Sequence, residues 1–323
     1  MKLAIVGATG KVGRMMLTNL KEFEIKFDQL DLYASINSAG KEIIFDKKKY
    51  IVNELTQEAM KKGYDYLLFS AGGQISREYA PIAAESGATI IDNSSAFRTD
   101  PNIPLIVPEI NIHLVKSYKG IISNPNCSTI QLVLLLKPLN DYCPIKKVIV
   151  TTMQSVSGSG YKGILEMQSQ RQGNKHVNLY PKQIDLNVIP QIGGILDDGF
   201  CEEERKMTLE TRKILGNPDF NLVATTVRVP VVYGHSESVY IEFRNAISLA
   251  EITKILSNSP AVEYKNVLFT PLDLEESNLS HVSRLRYAGD EKSIFLWNVG
   301  HNVRLGAATN AVKILKLCSQ KRT

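Results

Sequence analysis

The sequence predicts an α/β protein of two domains, and three observations carry the prediction. At the start, the apolar run Leu3 to Val6 breaks into Gly7-Ala-Thr-Gly10-Lys-Val-Gly13, followed by a helical stretch, Arg14 to Leu20. Up to residue 126, short apolar runs alternate with helical segments, as in a parallel sheet buried on both faces. Beyond Cys127 the pattern changes to β-branched and aromatic segments at strand spacing, Leu222 to Pro230 and Ser238 to Phe243. The first pattern implies a Rossmann-like, doubly wound dinucleotide-binding domain. The second implies an α+β domain with a mixed or antiparallel sheet.

Each element of the first domain follows in order. Strand, glycine turn and helix form a G-x-x-G-x-x-G variant of the dinucleotide fingerprint. Its glycines let the backbone turn tightly and approach a pyrophosphate at a helix N-terminus. Gly7, Thr9, Gly10, Lys11, Val12 and Gly13 are therefore candidate cofactor contacts. A second strand is predicted over Gln29 to Tyr33, where a cofactor lacking a 2′-phosphate would usually meet an acid. Ser35, Asn37, Ser38 and Lys41 stand there instead, with no acid before Glu42, and donors suit NADP(H). Residues 54–63 read as a helix and Tyr64 to Ser70 as a buried strand ending in Ala71-Gly72-Gly73. Ala71 and Gly72 are candidates there, because doubly wound sheets bind ligands at strand C-terminal ends. Ser76 to Ser86 reads as a helix containing Pro81, and Ala88 to Asp92 as another strand. Arg98 lies in the polar stretch Asn93 to Pro104; taken alone it reads as a surface ion pair.

At the change of pattern stands Asn124-Pro-Asn-Cys127-Ser-Thr, ahead of the apolar run Ile130 to Leu139 with Pro138 near its end. Asn126 is a good N-cap, so Cys127 is predicted in the first turn of a helix, where unpaired N–H groups and the helix dipole favour thiolate. Taken alone, a free cysteine is more often a small buried hydrophobe. Val148 to Gln154 reads as a strand. Asp197 to Gly216 is a charged segment entering a helix, with Glu203 and Lys206 one turn apart, which alone reads as an exposed ion pair. Asn298 to Asn310 leads into an apolar-faced helix, Ala311 to Cys318, and Gly306 permits a close backbone approach.

Composition sets outer limits. The 323 residues suit two domains, and 44% hydrophobic with 22% charged residues is ordinary for a globular protein. The net charge of +5 is spread along the chain apart from Lys47-Lys-Lys49 and the Lys321-Arg322 tail, both read as solvated surface. That excludes a nucleic-acid patch and suits an enzyme with anionic ligands. The four cysteines form no paired framework and no C-x-x-C, so the expected compartment is a reducing cytoplasm. Met1-Lys2 opens directly on an apolar run too short for a signal peptide, and no uncharged stretch approaches membrane-spanning length. No Cys/His cluster has metal-ligand spacing, so no metal is expected.

Several blocks resemble, in order, those of the aspartate-semialdehyde dehydrogenase family. They are Ser70-Ala-Gly-Gly73, Ile91-Asp-Asn-Ser-Ser-Ala-Phe-Arg98, Val107-Pro-Glu-Ile-Asn111, Ser123-Asn-Pro-Asn-Cys127-Ser-Thr-Ile-Gln131, Met153-Gln-Ser-Val-Ser-Gly-Ser-Gly160 and Arg228-Val-Pro with Gly234-His235. The resemblance implies a reversible, NADPH-dependent reduction of aspartyl-4-phosphate to aspartate-4-semialdehyde and phosphate. It implies Cys127 as nucleophile, His235 as base and Gln154 as the group orienting the acyl carbon. It further implies Arg228 on the substrate carboxylate, Glu203 on its ammonium, and Arg98 and Lys206 on phosphate. Asn126 and the Cys127 N–H would face the oxyanion, and Ser157, Gly158 and Asn310 the cofactor. The domains would be 1–126, completed by 307–323, and 127–306, the second making a homodimer or homotetramer. Two positions depart from the family: Asn37 stands where an arginine is usual, and His301 where an aspartate is usual. N-acetylglutamyl-phosphate reductase shares the logic, but its acetylated substrate has no ammonium for Glu203. Glyceraldehyde-phosphate dehydrogenase is more distant. A catalytically dead paralogue would be marked by loss of Cys127.

Overall fold

The structure is a computed structural model and describes residues 1–115, 118–274 and 276–320. The Lys321-Arg322 tail lies outside the described residues. The chain divides into two compact units, Met1–Asn126 with Ala307–Thr323, and Cys127–Gly306.

The first unit is wound on β1 (Lys2–Val6), α1 (Lys11–Glu22), β2 (Gln29–Ala34), β3 (Glu42–Phe45), β4 (Lys48–Glu54), α2 (Gln57–Met60), β5 (Tyr66–Phe69), α3 (Gly73–Glu85), β6 (Thr89–Asp92), α4 (Pro108–Asn111) and β7 (Gly120–Ser123). Its sheet has the order β3-β4-β2-β1-β5-β6-β7, parallel throughout except for the antiparallel β3–β4 hairpin. Alternate residues of the central strands point to opposite faces. Leu3, Ile5, Leu32 and Leu68 join Met16 and Leu20 of α1 and Val312 and Leu315 of the C-terminal helix, Asn310–Ser319. Ala4, Val6, Leu67 and Phe69 meet Ala80 and Ala83 of α3. Both faces are covered, which is why these strands read as unbroken apolar runs. β2 and β5 flank β1, so the chain order reverses there, at the switch point where such sheets bind ligands.

One local expectation is corrected here, while the lysines at 47–49 are exposed as expected. Residues 54–63 give only the short helix Gln57–Met60, because Lys48–Glu54 is strand. The lysines at 47–49 belong to a hairpin whose turn residues Asp46 and Lys47 have φ of 46° and 63°. Charged residues on an edge hairpin discourage pairing with other chains, and here they masked its strand pattern. Pro81 and Pro138 each lie inside a helix that continues past them.

The second unit contains α5 (Cys127–Tyr142), β8 (Ile145–Gln154), α6 (Gly160–Arg171), α7 (Glu202–Ile214), β9 (Asn221–Arg228), β10 (His235–Phe243), α8 (Leu249–Ser257), β11 (Val262–Tyr264), β12 (Ser280–Tyr287) and β13 (Ser293–Gly300). The six-stranded sheet has the order β11-β12-β13-β10-β8-β9. β8–β9 and β11–β12 pair in parallel and the rest are antiparallel, so the sheet is mixed. Helix α5 is buried nearly all round, from Ser128 to Leu136, which accounts for its continuous apolar sequence. The register decides the site. Gln154 pairs with Arg228 where β8 and β9 end, and His235 pairs with Gly300 where β10 begins and β13 ends. Four strand ends therefore converge on one edge of this sheet. A π-helical stretch, Arg304–Thr309, which the sequence reading did not anticipate, leads into the C-terminal helix.

Candidate active site

Cys127 is the first residue of α5, and its Sγ lies 3.1 Å from Nε2 of the fully buried His235. Glycines make this approach possible. A Cβ on Gly306 would sit 2.7 Å from the Cys127 Cβ, and one on Gly158 would sit 2.8 Å from Arg228 Nη1 and 3.4 Å from the His235 ring. Gly234, immediately before His235, has φ of +88°, and a side chain there would strike Pro271.

Behind the histidine, Ser155 donates its backbone N–H to Nδ1 at 3.1 Å, with its Oγ 3.2 Å from the same nitrogen. Asn302 joins them, accepting at Oδ1 from Gly234 N–H and donating from Nδ2 to Ser157 Oγ. Burial is the largest cause holding the His235 imidazolium well below its ordinary range. Arg228 and His301 add to it, and the Gly234 backbone alone works the other way.

Arg228 is buried, donates from Nη1 to the Ser155 carbonyl at 2.6 Å, and lies 6.0 Å from the Tyr180 ring centre. With Tyr180, Ser159 and the 191–193 strip it lines a cavity of about 520 Å³. Gln154, on the strand beside it, is buried and donates to Thr152 Oγ1 at 3.4 Å. Glu203 and Lys206 do form the one-turn ion pair, at 3.8 Å, but the Glu203 side chain is only 9% exposed. The first turn of α7 is tied to the wall of that cavity by Glu202 N–H on Gly194 O and Glu203 N–H on Ile192 O.

The remaining predicted residues lie in the first unit. Gly7, with φ of +86°, has room for no side chain: a Cβ there would meet Ser70 O at 2.6 Å. A Cβ on Gly13 would meet Gly7 O at 2.3 Å. Gly10 precedes Lys11 at the start of α1 without a side-chain cap, a donor set that fits a pyrophosphate. Thr9 and Val12 flank it, and Ala71 and Gly72 follow β5, with Gly72 at φ of +92°. Ser35, Asn37 and Lys41 are exposed beyond the end of β2, with Ser38 half-buried among them. Arg98 donates from Nε to Asn124 O and from Nη2 to Asn93 O, tying the loop after β6 to the Asn-Pro-Asn turn that Asn126 ends. The Asn310 amide nitrogen bonds Asn124 Oδ1 at 2.6 Å and Ile106 O at 2.9 Å.

Known families answer to this geometry. The family model described as "Semialdehyde dehydrogenase, NAD binding domain" matches residues 2–118, and "Semialdehyde dehydrogenase, dimerisation domain" matches residues 136–305. An aspartate-semialdehyde dehydrogenase of Aquifex aeolicus is 45% identical over 98% of this chain and 97% of its own. The chain belongs to the aspartate-semialdehyde dehydrogenase family. Aspartate-semialdehyde dehydrogenase II of Vibrio cholerae, including a structure complexed with ASA, superposes with a TM-score of 0.95 at 41% identity, covering 100% of this chain and 99% of that one. A Candida albicans aspartate-semialdehyde dehydrogenase solved with NADP shares the fold, with a TM-score of 0.77 at 23% identity over 99% of each chain. The reaction of this enzyme is the family's, in the synthesis of amino acids derived from aspartate.

Within that family, His301 has a local explanation. Its Nδ1 accepts the N–H groups of Val303 and Arg304, both at 3.3 Å, where the π-helical stretch begins. An aspartate would cap the same donors as an anion; the histidine does it as a neutral acceptor stacked on Tyr233 at 5.4 Å. Burial, with Arg304 adding to it, pushes its pKa down to about 4.

Sequence reasoning missed Ser155, Asn302 and Glu237 of this aspartate-semialdehyde dehydrogenase. Ser155 adjoins Gln154 in a quoted block and Asn302 adjoins His301, so proximity to candidates was the available signal. Glu237 stood unmarked, two residues beyond His235. It is fully buried, accepts from Asn298 Nδ2 at 2.8 Å, and also faces the amide of Gln131 on α5. Burial outweighs both donors and raises its pKa to about 8. The folded carboxyl thus keeps a proton that the unfolded one releases from about pH 4.5 upward, so this group's contribution to stability falls as pH rises to about 8. Glu237→Gln mimics the protonated form. Its melting temperature is expected to gain on that of the parent steadily across this window; parallel curves would show an ionised Glu237.

Proposed function

We propose that this enzyme reduces aspartyl-4-phosphate to aspartate-4-semialdehyde and phosphate, reversibly and with NADPH, through a thioester on Cys127. The observation that carries the mechanism is the 3.1 Å contact of Cys127 Sγ with His235 Nε2 at the start of a helix. The helix N-terminus and the Nε2 contact favour thiolate, the attacking form. Attack on the acyl carbon expels phosphate and leaves a thioester. The dinucleotide, when bound, supplies hydride. Cys127 then leaves the reduced carbon as thiolate and aldehyde is released. Gln154 orients the acyl group, with Asn126 and the Cys127 N–H as donors to the oxyanion.

Charge matching supports the substrate. Arg228 takes the α-carboxylate through its fork, Glu203 the ammonium, and Arg98 and Lys206 the phosphate. The glycine turn at Gly7, Gly10 and Gly13 would hold the pyrophosphate. Ser35, Asn37, Ser38 and Lys41 offer donors to a 2′-phosphate where an NAD site would carry an acid. We assign dinucleotide binding to residues 1–126 completed by 307–323, and catalysis and homodimer contact to 127–306. The exposed apolar side chains Leu186, Val188, Ile195 and Phe200 of the second unit support that contact.

The test runs the reaction backwards, from aspartate semialdehyde and NADP⁺, with and without phosphate. Phosphate-dependent formation of NADPH is expected, with NAD⁺ a weaker partner. Activity with N-acetylglutamate semialdehyde alone would overturn the substrate, and equal use of both dinucleotides would overturn the cofactor preference.

A further inference from the structure

The sheet face that packs on α5 changes character row by row. Val239 stands opposite Leu296 of β13 and Val150 of β8, a buried apolar row. Two residues nearer the site, Glu237 stands opposite Asn298 and Thr152, and all three are fully buried. Two residues nearer again is His235, opposite Gly300. A buried carboxyl in the middle row carries a desolvation cost that another valine would not.

A hydrogen-bond network offsets part of that cost, and it reaches the helix. Asn298 donates from Nδ2 to Glu237 Oε2 at 2.8 Å and to the Gln131 carbonyl at 3.3 Å. That carbonyl can only accept, which fixes Nδ2 on its side and leaves Oδ1 for the Ser280 hydroxyl at 2.6 Å. The Gln131 side chain donates from Nε2 to the His235 carbonyl at 3.3 Å and also faces the Glu237 carboxyl. Gln131 lies four residues beyond Cys127, one turn along the same side of α5. A Cβ on Gly300 would sit 2.4 Å from Gln131 Oε1, so the fit leaves no slack.

We propose that Glu237 is a positioning residue of the reaction: through Asn298 and Gln131 it locks the first turn of α5 to the start of β10, and so sets the approach of Cys127 to His235. Its catalytic meaning rests on the thioester reading; its geometry does not. The ladders that hold β10 run to β8 and β13, so they leave the placement of α5 to side chains. Apolar contacts fill that space without fixing a register. The network grips the helix by the Gln131 carbonyl and amide, and the strand by the His235 carbonyl and the Glu237 carboxyl. A 3.1 Å contact between sulfur and imidazole is sensitive to shifts that apolar packing alone would allow.

The neutral form of Glu237 suits this task. A carboxylate is a stronger acceptor than a peptide carbonyl, so an ionised Glu237 would draw Gln131 Nε2 away from His235. Burial raises its pKa to about 8, and the groups facing it, Gln131 from α5, Asn298 from β13 and Thr152 from β8, carry no charge. Its Oε1 has no hydrogen-bond partner among the described residues, so an anion there would be poorly held.

The experiment compares Glu237→Met with Glu237→Gln at pH 7 in two measurements. One is the rate at which iodoacetamide alkylates Cys127 in the resting enzyme, read from the Cys127 peptide by mass spectrometry so that the other cysteines do not contribute. The other is kcat and KM for aspartate semialdehyde with NADP⁺ and phosphate. Methionine keeps the length of the side chain and none of its hydrogen bonds. A displaced His235 then favours the thiolate less, and alkylation is expected to slow about 10-fold. Turnover is expected to fall about 10- to 100-fold in kcat, with KM within about twofold of the parent. Glutamine is neutral and still accepts from Asn298, so it is expected to rescue both rates to within about threefold. Folded Glu237→Met that reacts as the parent does would overturn the proposal. So would Glu237→Gln as slow as Glu237→Met, or a loss confined to KM. Should Glu237→Met not fold, Gln131→Met removes the link to the His235 carbonyl from the helix side. The same two losses are expected there, and parent-like rates overturn the proposal. Alkylation needs no substrate, so a parent enzyme silent in the turnover assay overturns the reaction, while the alkylation rates still decide the role of Glu237.

Discussion

Cys127→Ala is expected to lose turnover by about 10⁴-fold or more, the scale on which removal of a covalent nucleophile falls, while NADPH binding remains as in the parent. Of the other cysteines, Cys143 and Cys201 are buried within the second unit, with Cys201 Sγ engaged with Thr226 Oγ1 at 3.1 Å, and Cys318 lies near the end of the C-terminal helix. Alanine keeps the Cβ at the head of α5, so the close packing of Gly306 against this residue survives. Apart from Ser157 and Gly158, the glycines and donors assigned to the dinucleotide belong to the first unit. Burst kinetics and calorimetric titration with NADPH measure the two halves separately. Turnover within tenfold of the parent would end the nucleophile assignment; lost NADPH affinity would mean that the substitution had disturbed more than the sulfur.

Arg228→Lys is expected to lower kcat/KM by about 10- to 150-fold, the range for one missing charge-assisted hydrogen bond, mostly through KM. A guanidinium presents a planar fork, and one of its arms already holds the Ser155 carbonyl at 2.6 Å. A lysine ammonium is a single point that must choose between that carbonyl and the substrate carboxylate. It also gives up the stacking on Tyr180. The cavity that Arg228 lines keeps its size within one side chain, so aspartate semialdehyde still enters and the defect is in holding it. An unchanged KM would place the carboxylate elsewhere.

These two residues were legible before any coordinates through the blocks that resemble the family, and each sits where a periodic pattern stops. Arg228 is the last inward residue of an alternating strand, and Cys127 stands between an Asn-Pro-Asn turn and an apolar helix. The glycine turn was equally plain, since Gly7 and Gly13 touch residues that the local sequence already requires. What could not be read were contacts with no local period. Asn302 reaches Ser155 across 147 positions and Asn298 reaches Glu237 across 61, and nothing near either asparagine announces a partner. Arg98 and Asn310 were read for ligands, yet both also bind backbone carbonyls. Polar side chains at a strand end serve loop and ligand with the same atoms. The β3–β4 hairpin escaped because its outward face is lysine-rich, which erases the alternation that marks a strand.

Glu237 and His301 lie in the same unit and carry opposite proton debts. Between about pH 4.5 and 8 the folded glutamic acid holds a proton that the unfolded one has lost, whereas between about pH 4 and 6.5 the folded histidine lacks one that the unfolded one binds. Where the windows overlap, from about pH 4.5 to 6.5, the two differences cancel and neither group tilts the stability curve. Of these two, the glutamic acid erodes stability above the overlap and the histidine below it. The histidine at position 301 thus sets a proton difference of one sign against that of Glu237 within one domain, and His235, whose pKa burial lowers in the same direction, adds to the histidine side as pH falls.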